Sequence, residues 1–231
     1  HPRGAPRGDA LHGLDPGDPV SGITAGGASA GALPIDLDAL TIETIRAGAL
    51  DGRPVTVLGF ARTGIALARF LSDAGAAVTV YDAKPAAELG SAIEALEGRS
   101  VRLLLGPEVD PARALAGAAL VTTSPSVNPD YPTTEPRLRE RLAALVAARR
   151  AGDPEARTVP ALVSEPDLFL RLCIAPTIGV TGTKGKTTTS ALTAALLGAG
   201  NGPVLLGGNI GTPLVERLPE LTPRHRVVME L

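Results

Sequence analysis

The chain's 231 residues carry 22 Lys+Arg against 24 Asp+Glu, a net charge of −2; that length suits one large or two smaller domains, and the interspersed charge excludes a basic field for nucleic acid. Hydrophobic residues make up 44% and aromatics only 2%, so a sizeable core must be built from Ala, Leu, Val and Ile. No apolar stretch is long and uninterrupted enough to cross a bilayer and no signal peptide heads the chain, so a cytoplasmic protein without membrane insertion is expected.

Residues 1–34 are rich in Pro, Gly, Ala and Asp without periodicity. They cannot bury enough apolar surface to offset their ordering entropy, and a disordered extension is expected. From residue 54 strand-like and helical runs alternate. Strands are expected at residues 55–59, 77–81, 101–105 and 119–122, and helices at 65–74 and 87–97. In the first helix Ile65, Ala68, Phe70 and Leu71 share the inward face. A longer helix is expected at 135–149, with Leu138, Leu142, Leu145 and Val146 on one face and Arg149 and Arg150 complementing its C-terminal dipole. A loop at 152–155, a strand at 158–163 and a short helix at 167–172 behind a Ser164-Glu165-Pro166 cap complete this unit. Repeated β–α units of this kind make a parallel sheet covered by helices. Cys173 excludes an internal disulfide and fits a reducing compartment. In the run Leu170, Leu172, Cys173, Ile174 it reads as a small buried hydrophobe.

A boundary near residues 164–175 separates an α/β unit over 35–163 from a second over 164–231, which holds a strand, a glycine loop, a helix, a Gly-rich turn and one more strand. The chain begins with His1, and residues 226–231 read as a buried strand. The sequence is therefore expected to be part of a longer polypeptide.

After the first strand comes Gly59-Phe60-Ala61-Arg62-Thr63-Gly64, then a helix. Asp82 follows the second strand, eighteen residues beyond Gly64. This approaches the dinucleotide pattern G-x-G-x-x-G with an acid about 20 residues on. Ala61 replaces the glycine that lets backbone approach a pyrophosphate, so the pattern is weak evidence for NAD. The loop still offers amides and a helix N-terminus to a phosphorylated ligand, with Asp82 placed to accept from a ribose or base. Ser124, after the 119–122 strand, opens on the same crevice of a doubly wound sheet.

The sharpest stretch is Thr177-Ile178-Gly179-Val180-Thr181-Gly182-Thr183-Lys184-Gly185-Lys186-Thr187-Thr188: an apolar strand, a glycine loop and a helix. The pattern G-x-x-x-x-G-K-[ST] places a glycine where this chain has Val180, so the loop is a variant built on Gly182 and Gly185. The glycines let backbone amides aim at phosphate oxygens. Lys186 is placed to reach β/γ-phosphates and Thr187 to offer its hydroxyl to Mg²⁺. The helix that follows is apolar through Ala191, Leu192, Ala194, Ala195, Leu196 and Leu197.

Together these motifs, with Ser124-Pro125, Ser164-Glu165, Gly208-Asn209-Ile210-Gly211 and Met229-Glu230-Leu231, resemble the Mur ligase family over roughly residues 40–231. The resemblance implies a Rossmann-like first domain that binds the UDP moiety of a muramoyl substrate, followed by the start of a P-loop ATPase domain. It implies an ATP-dependent, amide-bond-forming ligase that joins D-glutamate to UDP-N-acetylmuramoyl-L-alanine through an acyl phosphate, in peptidoglycan synthesis, with ATP and Mg²⁺ as cofactors and a monomeric state. UDP contacts would come from Gly59, Arg62, Thr63, Gly64, Asp82, Lys84 and Ser124. ATP would be held by Gly182, Thr183, Lys184, Gly185, Lys186, Thr187 and Thr188, and the metal by Thr187 and Glu230. Lys186, Glu230 and Asn209 would be the catalytic set. Ser126 stands where that family usually has glycine, and Lys184 where it often has asparagine. The L-alanine-adding member of the family and a non-catalytic dinucleotide-sensing module are the alternatives.

Overall fold

The computed structural model describes residues 32–150, 159–200 and 202–231. Most of the expected N-terminal extension and the expected loop at 152–155 lie outside them. Among the described residues the strands form two sheets, both parallel throughout.

The first sheet runs β3 (Val101–Leu105), β2 (Ala77–Asp82), β1 (Pro54–Leu58), β4 (Leu120–Thr123) and β5 (Ala161–Ser164). Val57 lies opposite Val80 on one side and Thr122 on the other. The chain starts in the centre, winds to one edge, then returns to the centre and winds to the other. That order puts a topological switch point between β1 and β4, where the outgoing loops diverge and leave a crevice. The central strands are near-continuous apolar runs because both faces are covered. On one face α2 (Arg62–Asp73) lays down Leu67, Ala68, Phe70 and Leu71. On the other, α5 (Pro136–Arg150) packs Leu138 and Leu142 against Leu58, Tyr81 and Val121. Leu145 and Val146, expected inward on α5, are only partly buried.

The second sheet has β8 (Arg226–Glu230) between β6 (Thr177–Val180) and β7 (Val204–Gly208). A 3₁₀ helix at Leu214–Glu220 docks it on the first unit. Leu214, Val215 and Leu218 join Phe70 of α2 and Leu168, Phe169 and Leu172 of α6 (Glu165–Leu172) in one core.

Several elements differ from the sequence expectation. The helix expected at 87–97 is a 3₁₀ turn at Ala86–Glu88 followed by the short α3 (Gly90–Glu94). Gly90 would cost a continuous helix about 1 kcal/mol relative to alanine. The strand expected at 158–163 lies later, as β5. The short helices α1 (Ile42–Arg46) and α4 (Pro111–Leu115) carry no long periodicity and were not expected. Nor was β7, read as a glycine turn. Its glycines serve close approach: a Cβ on Gly207 would sit 2.5 Å from Leu214 Cδ2, and one on Gly208 2.3 Å from Glu230 O. Cys173 is half-buried, with Sγ 3.4 Å from the Ala175 carbonyl and 3.5 Å from Thr177 Oγ1. The apolar α7 (Lys186–Gly198) buries only Ser190 and leaves Leu192 and Leu196 60% and 69% exposed.

Candidate functional site

The first loop is shaped by two glycines. Gly59, at φ +90°, turns the chain out of β1. At Gly64 a Cβ would lie 1.8 Å from the Gly59 carbonyl oxygen, so α2 can start this close to the strand only with glycine there. The residue that caps α2, Ala61, offers no side-chain acceptor. Amides of the first helical turn are thereby left for an external anion. Asp82, at the end of β2, braces the loop: Oδ2 accepts the Phe60 N–H at 2.7 Å and Oδ1 the Lys84 N–H at 2.9 Å. Each oxygen keeps a lone pair for a ligand hydroxyl. Ser124, after β4, is buried, and its Oγ lies 3.1 Å from Ser126 Oγ.

These residues line two neighbouring clefts. One, of about 350 Å³, is bounded by Gly59, Ala61, Asp82, Lys84, Ser124 and Thr134. Tyr81 also lines it, and its buried hydroxyl has no hydrogen-bond partner. Burial, with the Glu135 charge second, pushes that phenol above its ordinary pKa. Sequence reasoning did not single out Tyr81, because a tyrosine in an apolar strand looks like core.

The other cleft, of about 240 Å³, lies between the two units and is lined by Arg62, Thr63, Ser124, Glu165, Gly208 and Asn209. The residues expected to share one UDP site are therefore split. Asp82 and Lys84 face the first cleft, Arg62 and Thr63 the second, while Ala61, Ser124 and Ser126 border both. Arg62 Nη2 donates to the Asn209 carbonyl at 3.2 Å, linking the first loop to the second unit.

The second loop leaves β6 at Val180. Gly182 at φ +144° and Gly185 at φ +77° take backbone conformations that favour glycine, and Gly185 caps α7. Lys186 Nζ donates to the Gly182 carbonyl at 2.7 Å, folding the lysine back over its own loop. Thr183, Lys184, Thr187 and Thr188 are exposed. Glu230, the last residue of β8, lies in register with Val180 on one side and Gly208 on the other. It is 6% exposed, and its buried Oε2 has no partner. Asn209 N–H donates to the Glu230 carbonyl at 3.0 Å. Register thus brings Glu230 beside the start of the loop, with Asn209 on the other side of β8.

Among the described residues no three His, Cys, Asp or Glu side chains converge as a metal cage. Mg²⁺ does not need one, since it is commonly held by one or two protein ligands with phosphate oxygens and waters. The orphaned Glu230 oxygen and the Thr187 hydroxyl suit that requirement.

Glu165 is a buried acid that the motif reading left without a role. It is 3% exposed, and its Oε1 accepts the Val215 N–H at 3.1 Å. Burial holds its carboxyl above the usual carboxylate range, opposed by the amides of Val215 and Leu214. An acid just after a serine cap reads as an ordinary helix start; only the fold brings it to a residue fifty positions away.

No protein-family model matches the chain. Solved structures overlap weakly: gox2181 at 15% identity and TM-score 0.37, covering 78% of this chain and 95% of that one. A 3-oxoacyl (acyl-carrier-protein) reductase from Agrobacterium tumefaciens C58 gives 19% identity and TM-score 0.37, over 82% and 96%. Curated sequences are much nearer. The UDP-N-acetylmuramoylalanine–D-glutamate ligase of Geobacter metallireducens is 38% identical over 184 residues, 79% of this chain and 36% of that protein. The ligase of the same name from Anaeromyxobacter dehalogenans is 40% identical over 183 residues, 79% and 35%. The one from Pelobacter propionicus is 37% identical over 182 residues, 79% and 36%. The chain spans about a third of the length of these relatives, and over that stretch it is similar to UDP-N-acetylmuramoylalanine–D-glutamate ligases.

Proposed function

We propose that this chain serves the ATP-dependent joining of D-glutamate to UDP-N-acetylmuramoyl-L-alanine in cytoplasmic peptidoglycan synthesis. Residues 35–163 hold the UDP moiety, and residues 164–231 form the beginning of the ATP-binding domain of a monomer. The observation that carries this reading is the presence of two glycine loops at carboxyl ends of parallel strands, with the first loop tied by the Arg62–Asn209 hydrogen bond to the turn after β7 in the sheet that carries the second. A dehydrogenase needs one dinucleotide site; a ligase that activates a nucleotide-linked acid with ATP needs two nucleotide sites facing each other.

The chemistry is transfer of the ATP γ-phosphoryl to the alanyl carboxylate, followed by displacement of phosphate by the D-glutamate amine. Bringing a carboxylate to a triphosphate opposes two anions, so the barrier is largely electrostatic. Lys186, released from the Gly182 carbonyl, supplies positive charge at the β/γ-phosphates. The Gly182–Lys186 amides and the N-terminus of α7 receive the remaining phosphate oxygens. Thr187 and Glu230 would hold Mg²⁺, which neutralises developing charge on the transferred group. Asn209, tied to Glu230 and Arg62, sits at the passage between the sites. Asp82 and Lys84 meet the uracil and ribose side, and Arg62, Thr63 and Ser124 the diphosphate.

The test is phosphate release by the complete gene product with ATP and Mg²⁺. It would receive UDP-N-acetylmuramoyl-L-alanine with D-glutamate, or UDP-N-acetylmuramate with L-alanine. Turnover with the first pair alone is expected. Turnover with the second alone moves the assignment to the L-alanine-adding reaction, and NADH binding without turnover replaces it with a sensing module.

A further inference from the structure

Glu165 opens α6 directly after β5 of the five-stranded sheet, yet its hydrogen bond goes to the 3₁₀ helix that docks the other sheet. The segment from Asn209 to Pro213 runs between two anchors. At its start Asn209 donates to the Glu230 carbonyl at 3.0 Å, and its own carbonyl accepts from Arg62 at 3.2 Å. At its far end the chain enters the 3₁₀ helix, whose Leu214 and Val215 amides turn to the Glu165 carboxylate.

Stability alone is a poor reason for this arrangement. A neutral serine or asparagine can receive helix-start amides without burying a charge. Among the described residues Glu165 has no ion-pair partner, so the carboxylate is buried at a net electrostatic cost. A buried acid without an ion-pair partner that also lines a cleft is a candidate functional position.

We infer that Glu165 is a positioning residue: holding the Leu214 and Val215 amides from the end of β5, it sets the place of Asn209 and Glu230, so the nucleotide site of the second sheet is complete only when the two sheets are docked. This rests on the reading of Asn209 and Glu230 as parts of an ATP site. The coupling needs no movement of Glu165 itself; it needs only that the segment from Asn209 to Pro213 loosen when one anchor is lost.

The test compares wild type, Glu165→Ala and Glu165→Gln in the complete protein by two independent readouts. Hydrogen exchange reports the Asn209 amide against Val57 and Val80 in the first sheet. Calorimetry reports Mg-ADP and UDP affinities separately. Loss of a buried hydrogen bond to a charged group corresponds to roughly ten-fold or more in an equilibrium. Glu165→Ala should therefore speed Asn209 exchange and weaken Mg-ADP about ten-fold, with a smaller loss for UDP, whose Arg62 contact leans on the Asn209 carbonyl, and with first-sheet exchange within about two-fold. Glu165→Gln, whose amide oxygen accepts the same N–H groups, should restore both to within about three-fold. Unchanged Asn209 exchange in the alanine variant overturns the inference, as does equal loosening of the first sheet or failure of glutamine to rescue. If the exchange pattern holds while wild type binds no Mg-ADP, the positioning stands and the assignment of the second loop to ATP falls.

Discussion

The two sheets are built to different degrees of closure. In the first, Val57, Val80 and Leu120 have no exposed surface, and helices cover both faces. In the second, β8 is equally buried through Val227, Val228 and Met229, but its edge strand β6 leaves Ile178 44% exposed and α7 leaves Leu192 and Leu196 open. The 3₁₀ helix packs one face of the second sheet against α2 and α6, while α7 lies over the other with its own outer face bare. The lysine-bearing loop leads into α7, which buries only Ser190. Such regions open at lower free energy than a closed core. The difference teaches that the fold's most closed core and the loop proposed to take phosphate reside in different parts of the chain.

The strongest way to break this comparison is to separate the parts. Residues 175–231 alone should show no cooperative thermal transition, because three parallel strands without the first unit expose apolar faces and open edges. A sharp two-state melt of that segment would refute the asymmetry. A smaller effect sharpens it. Phe169, fully buried where α6 meets the 3₁₀ helix, should cost about 3–5 kcal/mol when changed to alanine. Leu196→Ala on the bare face of α7 should stay within about 0.5 kcal/mol. Denaturant midpoints of the two variants check this directly, and similar losses would mean that the outer face of α7 is covered too.

The smallest expected effect concerns Glu165. Its folded carboxyl is raised above the ordinary value of 4.5 by burial. The native state therefore binds the proton more tightly than the unfolded chain, and stability from this group is complete below that value and is lost as pH rises through the raised one. Glu165→Gln has no charge to bury. Melting temperatures at about pH 4 and about pH 7 should show the variant gaining on the parent at the higher pH. A parent that gains on the variant as pH rises would reverse the sign and remove the buried-charge argument.

How much of this was legible in the sequence depends on how local the determinants are. The strands β1, β2 and β3 are β-branched or leucine-rich runs flanked by turn residues, and α2 shows its apolar face at helical spacing; both can be read without the fold. The glycine at position 64 and the acid at 82 were legible because a tight strand-to-helix turn and a strand-end carboxylate impose their own spacing. The division of Arg62 and Thr63 from Asp82 and Lys84 into separate clefts was not, since it depends on where the second unit docks. Glu165 was hidden for the same reason: its partner Val215 is adjacent only in three dimensions. The strand β7 was obscured because Gly207 and Gly208, which serve close approach to Leu214 and Glu230, look like a turn in one dimension.

The central claim is that the two glycine loops are separate nucleotide sites with separate tasks. The most direct test measures phosphate release and UDP affinity on one Lys186→Ala sample of the complete gene product. Release should fall on the order of 10²–10³-fold, as when a preorganised charge stabiliser is removed elsewhere, while UDP affinity stays at the wild-type value. A folded variant that loses both equally, or releases phosphate at the wild-type rate, would contradict the division of labour between the loops.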